Sequence, residues 1–166
     1  MVTDRKPLLT GGCQCGALRY ALYAPPEGVH VCHCRMCQKA VGGPFAALAP
    51  VRMDAFAWTR GVPATFASST AALRDFCPSC GTPLTFRYRH KPLIDVTLGS
   101  LDRPAETPPQ VSYGVESRMP WLDRLAGLPA SATNLDYLPP GLASHQHPDH
   151  DTPDDWQPHA REPGPT

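Results

Sequence analysis

Seven cysteines are the residues of this 166-residue chain whose type and spacing carry chemistry. They fall in three groups, Cys13-Gln-Cys15, Cys32-His-Cys34-Arg-Met-Cys37 and Cys77-Pro-Ser-Cys80, and no cysteine lies outside a group. An odd number argues against a disulfide framework. The first residues argue the same way: Met1–Gly12 carries charge at Asp4, Arg5 and Lys6 and no apolar signal core, so a reducing, cytoplasmic location is expected. Thiolates at these spacings point to metal instead, and thiolate-rich donor sets favour zinc.

Cys77-Pro-Ser-Cys80-Gly81 has the form of a zinc knuckle: two intervening residues let one tight turn present both sulfurs, and Gly81 permits the positive φ that such a turn needs. A tetrahedral ion needs four donors. Cys13-Gln-Cys15-Gly16, also ending in glycine, is the natural partner pair, because residues i and i+2 of an extended chain face one side. Cys32, Cys34 and Cys37 then remain within one short segment. Three protein ligands and an open fourth position are the pattern of a catalytic zinc. By parity His33 points away from the face that Cys32 and Cys34 share, whereas His30 has the right parity and His90 is a more distant candidate. Spacing alone leaves two other arrangements open: both ions structural, or Cys13, Cys15, Cys32 and Cys34 around one ion. Arg35 and Lys39 lie close enough in sequence to offset the charge of three thiolates on a divalent ion.

The elements that must position these groups read as short strands. Leu18, Tyr20 and Leu22 alternate with Ala17, Arg19 and Ala21, the period of a half-buried strand. Further strands are expected at Phe45–Leu48, Phe56–Thr59, Ala64–Ala67, Leu73–Phe76, Leu84–Tyr88, Leu93–Leu98 and Val111–Val115, most of them bounded by Gly and Pro. Short helical turns are expected at Cys34–Val41 and Trp121–Ala126. The class is therefore mainly β with minor helix.

Proline accounts for 21 residues, and the longest proline-free runs are Leu8–Ala24 and Glu27–Gly43. A proline inside a helix costs roughly 3 kcal/mol, which excludes a long-helix bundle or coiled coil. No run approaches the ~20 apolar residues of a membrane span. The net charge of zero conceals an asymmetry: five acidic residues against one basic leave 139–166 at −4 and 1–138 at +4. No Arg/Lys run or aromatic–basic interleaving supports nucleic-acid binding. From Pro139 the chain holds seven prolines, four histidines (His145, His147, His150, His159) and one large aliphatic residue, Leu142. Such a composition buries too little apolar surface to offset its ordering entropy. Two regions are expected: a zinc-binding β domain over 1–138 and a disordered Pro/Asp/His-rich tail over 139–166.

The same residues carry a family resemblance. Gly11-Gly12-Cys13-Gln-Cys15-Gly16 with Arg19-Tyr20, Cys32-His-Cys34-Arg-Met-Cys37-Gln-Lys39, Arg74-Asp-Phe-Cys77-Pro-Ser-Cys80-Gly81-Thr82 with Leu84, Gly99-Ser-Leu-Asp102 and Ser117-Arg-Met-Pro-Trp121 resemble the glutathione-dependent formaldehyde-activating (GFA) family, which includes centromere protein V. The resemblance spans about Gly11 to Trp121. It implies a zinc-stapled antiparallel β-tent with two zinc ions per chain. Cys13, Cys15, Cys77 and Cys80 would hold a structural zinc, and Cys32, Cys34 and Cys37 a catalytic one. The implied activity joins glutathione to formaldehyde as S-hydroxymethylglutathione, a carbon–sulfur lyase reaction, or runs the reverse. Where many members carry a histidine at the start of the late strand, this chain has Gln110, so no role for that imidazole carries over.

The expected partners are a small-molecule thiol and a small aldehyde. Arg35, Lys39 and Arg118 are candidate partners for the substrate's carboxylates, and Trp121 a candidate pocket wall. Two other readings compete. One is a non-catalytic zinc module for a protein or nucleic acid. The other is a B-type methionine sulfoxide reductase, which needs a nucleophilic cysteine free of metal.

Overall fold

The computed structural model describes residues 6–157. Its strands, in chain order, are β1 Leu9–Gly12, β2 Arg19–Leu22, β3 His30–Cys32, β4 Ala46–Arg52, β5 Phe56–Arg60, β6 Ala64–Ala67, β7 Ala72–Phe76, β8 Pro83–Tyr88, β9 Leu93–Thr97 and β10 Val111–Tyr113. One α-helix, α1 at Arg35–Val41, joins β3 to β4, and 3-10 turns follow β9, the longest at Pro120–Gly127. The strands make two sheets. Three form β1-β2-β5, and seven form β10-β3-β4-β9-β8-β7-β6. Pairing is antiparallel except that β10 lies parallel to β3.

Alternation along the central strands divides the seven-stranded sheet. Ala49 and Val51 of β4 pack with Ile94 and Val96 of β9 into the main core, which Leu18, Tyr20 and Leu22 complete from the small sheet. Ala46 and Leu48 face the other way and pack with Cys37 of α1 and with Phe86. The sheet thus has one face in the core and one face carrying α1. Strand β4 runs on through Pro50 to Arg52, four residues past the expected end. The Pro50 carbonyl accepts from the Glu27 N–H. The missing proline N–H faces that same side, past the end of β3, and breaks no ladder bond.

Two strands escape the sequence pattern. Leu9–Gly12 and His30–Cys32 hold glycines, a histidine and a cysteine rather than an alternating apolar set, and neighbouring strands hold them in place. Strand β2 is buried at all four positions, not on alternate ones. The Arg19 side chain is only 4% exposed because Asp102 and Asp151 cover it.

The described side chains of residues 128–146 are exposed, with one 3-10 turn at Leu135–Tyr137. Beyond them the chain returns to the body, which the composition did not predict. The His147 N–H donates to the Gln14 carbonyl at 2.7 Å. Arg60 donates to the Thr152 carbonyl at 2.8 Å and the Pro153 carbonyl at 3.0 Å. The His147 and Trp156 rings meet edge to face with centroids 4.6 Å apart, and His147 is buried. The Asp151–Arg19 ion pair, the Arg60 bonds and the His147 N–H attach this proline-rich segment to the body. His159 and the rest of 158–166 lie outside the described residues.

Candidate metal centres and the cleft beside them

The two cysteine pairs occupy two turns brought face to face. Cys13 and Cys15 lie in the β1–β2 connection, Cys77 and Cys80 in the β7–β8 connection. Each turn closes on the N–H of the glycine that follows its second cysteine, over three residues in the first and four in the second. The Gly16 N–H donates to the Cys13 carbonyl at 3.0 Å and the Gly81 N–H to the Cys77 carbonyl at 2.9 Å. Both glycines have positive φ, +71° and +79°. The Gln14 N–H reaches the Thr82 hydroxyl at 3.1 Å and ties one turn to the other. All four Sγ atoms lie within 4.8 Å of one another. Cys13 and Cys15 are 3.6 Å apart at sulfur, Cys15 and Cys77 3.8 Å. A tetrahedron with Zn–S bonds of about 2.3 Å has edges of about 3.8 Å, so the donor set fits zinc in both chemistry and size.

Backbone and hydroxyl donors already favour charge on these sulfurs. The Leu18 N–H donates to Cys13 Sγ at 3.2 Å and the Ser79 N–H to Cys77 Sγ at 3.3 Å. Burial pushes the Cys13 and Cys15 thiols up. It also opposes ionisation of Cys80, but the bond with the Thr82 hydroxyl and a backbone N–H outweigh it and bring that thiol down to about 6. Close thiolates repel one another, and a shared divalent cation removes the conflict.

The third group is local. Cys32 ends β3, Cys34 caps α1 and Cys37 lies within that helix. Their sulfurs also lie within 4.8 Å of one another. The Cys37 N–H donates to Cys34 Sγ at 3.4 Å. Burial pushes Cys32 up to about 12. Burial works against Cys34 too, but the Cys37 N–H and the neighbouring thiols hold it below its ordinary value. The geometry thus selects one of the pairings that spacing left open: four sulfurs in one group and three in the other. His33 points away as its parity predicts. It is buried, its Nε2 is 3.0 Å from the Ser112 hydroxyl, and its ring meets Phe45 edge to face.

Cys32, Cys34 and Cys37 open onto a cleft of about 610 Å³. Phe86, Leu48 and Tyr113 give it apolar walls, and His30, Arg74, Lys91 and Asp95 give it charge and hydrogen-bonding groups. Arg74 stands against the thiols: it donates to Cys37 Sγ at 3.3 Å and to the Ser68 hydroxyl at 3.1 Å, and its guanidinium lies 4.7 Å from the Phe86 ring centroid. Sequence distance concealed it, since 37 residues separate it from Cys37. The available signal was its place two residues before Phe76-Cys77, where alternation along β7 sets its face.

The expected substrate residues lie elsewhere. Arg35 and Lys39 line an adjoining cavity of about 740 Å³, which meets the cleft at Met36, Leu48 and Arg74. Arg35 also donates to the Gln38 side chain. Arg118 pairs with Asp123, and Trp121 sits on the exposed 3-10 turn; neither lines the cleft. His90 does not line it either, but His30 does. Gln110 opens β10, its N–H bonded to the Val29 carbonyl. No helix is long and apolar enough to cross a membrane among the described residues.

Comparison with known proteins agrees with this arrangement. An uncharacterized lyase of Schizosaccharomyces pombe is 32% identical over 82 residues, 49% of this chain and 59% of that protein, so the match spans little more than half of the relative's length. A crystal structure of a Rhodobacter sphaeroides protein shares the fold, with a TM-score of 0.51 and 22% identity, covering 62% of this chain and 98% of that one. The model of the glutathione-dependent formaldehyde-activating enzyme family matches residues 8–117, which include all seven cysteines. That span is well over half of the chain, and the chain belongs to the GFA family.

Proposed function

We propose that this protein is a zinc-dependent carbon–sulfur lyase of the GFA type. It would join a thiol, with glutathione as the reference substrate, to a small aldehyde such as formaldehyde. The observation that carries the reading is the contrast between the two thiol sets. Both sets mix buried and half-buried cysteines, but Cys13, Cys15, Cys77 and Cys80 supply four sulfurs, whereas Cys32, Cys34 and Cys37 supply three, one short of a tetrahedron, and all three line the cleft. On this reading Cys13, Cys15, Cys77 and Cys80 hold a structural zinc, and Cys32, Cys34 and Cys37 hold a second. When bound at the three-sulfur set, zinc supplies an open coordination position and lowers the pKa of a thiol that enters it.

The chain's own residues do the rest. Arg74 sets a fixed positive charge against Cys37 and offsets the excess negative charge of three thiolates. The Cys37 N–H holds Cys34 in the orientation of a ligand. Phe86 and Leu48 give the cleft an apolar wall beside the three sulfurs. In the overall reaction one S–C bond forms, the carbonyl π bond breaks, and the thiol proton ends on the former carbonyl oxygen. Nothing is oxidised or reduced. The reductase alternative loses its nucleophile on this assignment, because all seven cysteines fall in the two groups.

Exchange NMR on glutathione and formaldehyde tests the activity. The zinc-loaded protein should accelerate exchange between free and S-hydroxymethyl thiol well above the spontaneous rate. Cys34→Ser should abolish that acceleration and remain folded, whereas Cys77→Ser should fail to fold, since structural zinc binding is folding energy. A wild-type protein with two bound zinc ions and no acceleration would exclude the lyase reading.

A further inference from the structure

The cleft holds a charged group that the chemistry above leaves without a role. Asp95 lies in the middle of β9, opposite Pro50 on β4 and Phe86 on β8, and lines the cleft floor. Among the described residues no hydrogen bond and no ion pair within 4 Å reaches its carboxylate. Partly buried carboxylates are rarely left so, because desolvation without a compensating donor is costly. Burial pushes its pKa up to about 6, and only the more distant charges of His30 and Lys91 work against that. The simplest account of a carboxylate held in an open cleft without a partner is that the partner arrives with the ligand.

Sheet geometry separates this group from the reacting atoms. Asp95 is two strands from β3, and Pro50, the partner of Asp95, is four positions along β4 from Ala46, the partner of Cys32. At about 4.8 Å per strand and 3.3 Å per residue, that is roughly 10 Å across and 13 Å along the sheet, or about 16 Å between the two Cα atoms. An Asp95 carboxylate therefore cannot take a proton from a sulfur held at Cys32, Cys34 and Cys37. After the two side chains are allowed for, about 10 Å remain, the extended span of a molecule of three residues at about 3.5 Å each.

We propose that Asp95 binds the amino group of a peptide-sized thiol whose sulfur lies at the three-cysteine set, with Lys91 near it to take the adjacent carboxylate. Both residues line the same cleft. Lys91 Nζ rests 5.1 Å from the Tyr88 ring centroid, at the same end of the cleft. An α-amino acid head, ammonium beside carboxylate, matches this mixed-charge end, whereas a simple alkyl thiol or a purely anionic one leaves Asp95 unpaired. The inference rests on the thiol reading of the cleft, and it adds which end of the thiol is recognised and by what.

Calorimetric titration of the zinc-loaded protein with S-methylglutathione and its N-acetylated form tests the subsite without a free thiol. The unmodified amine should bind roughly tenfold more tightly, the scale of one charge-assisted hydrogen bond. Asp95→Asn should erase that preference while leaving the affinity of the acetylated ligand unchanged. Equal affinity of the two ligands for the wild-type protein, no binding of either, or a preference that survives in Asp95→Asn would each overturn the proposal. The ligand pair needs no variant, so a poorly folded Asp95→Asn does not spare it. The thiol reading fails on its own terms if glutathione leaves the visible spectrum of a cobalt-loaded protein unchanged while the Asp95-dependent preference persists.

Discussion

Asp102→Ala should destabilise the protein far more than Asp151→Ala, although both carboxylates bind the same guanidinium. Arg19 donates Nη1 and Nη2 to the two oxygens of Asp102 at 2.8 and 2.6 Å, and Nε and Nη2 to Asp151 at 3.1 and 2.7 Å. By distance the two partners look alike, but by exposure they do not. The Asp102 side chain is 8% exposed and that of Asp151 59%, against 4% for Arg19. Removing one member of a buried pair leaves a charge stranded and costs about 3–5 kcal/mol. Removing an exposed partner costs about 1 kcal/mol or less, because water replaces it. At about 2–4 °C per kcal/mol for a chain of this length, Asp102→Ala should lower Tm by roughly 10 °C and Asp151→Ala by no more than about 4 °C.

Acid should separate the variants further. Burial works against ionisation of Asp102, but the hydrogen bonds from Arg19 and Thr10 outweigh it and hold its pKa below the ordinary value. A depressed carboxylate contributes stability that is complete above the unfolded value of about 3.9 and is lost as pH falls through the lower folded value. The Tm gap between the wild type and Asp102→Ala should therefore hold from neutral pH to about 4 and narrow below it. Thermal unfolding of the zinc-loaded proteins across that range measures it. Equal small shifts in the two variants, or a gap that does not change in acid, would refute the claim that burial rather than contact distance sets the strength of this network.

Two further substitutions probe other parts of the molecule. Gly16→Ala requires a left-handed residue with a Cβ and places that atom 2.2 Å from the His147 ring and 2.6 Å from Trp156. It should cost about 1–2 kcal/mol from backbone conformation alone and release the segment around His147, read as new proteolytic cleavage between residues 128 and 157. Arg74→Gln removes the cation that touches the Cys37 thiol and should weaken zinc retention at the three-cysteine set by about 10–100-fold against a chelator, without changing retention at the other set.

Local chemistry made much of this molecule readable in one dimension. Cysteine spacing and the glycine after each pair defined the knuckle turns, because a two-residue turn and a positive φ are properties of a few adjacent residues. Strands such as Ala64–Ala67 and Leu84–Tyr88 were visible as short runs bounded by Gly and Pro. Only the tertiary structure decided which turns meet, since Cys15 and Cys77 are 62 positions apart and come within 3.8 Å only through the pairing of whole sheets. It also chose the cations. Arg35 and Lys39 are near the three-cysteine set in sequence yet line a neighbouring cavity, while Arg74 arrives from β7. Strands β1 and β3 have no pattern of their own and exist because neighbours supply their hydrogen bonds. The return of residues 147–156 to the body escaped composition for the same reason. Whether a segment docks depends on what surface it meets, and Gly16, Arg19 and Arg60 form that surface far away in the chain.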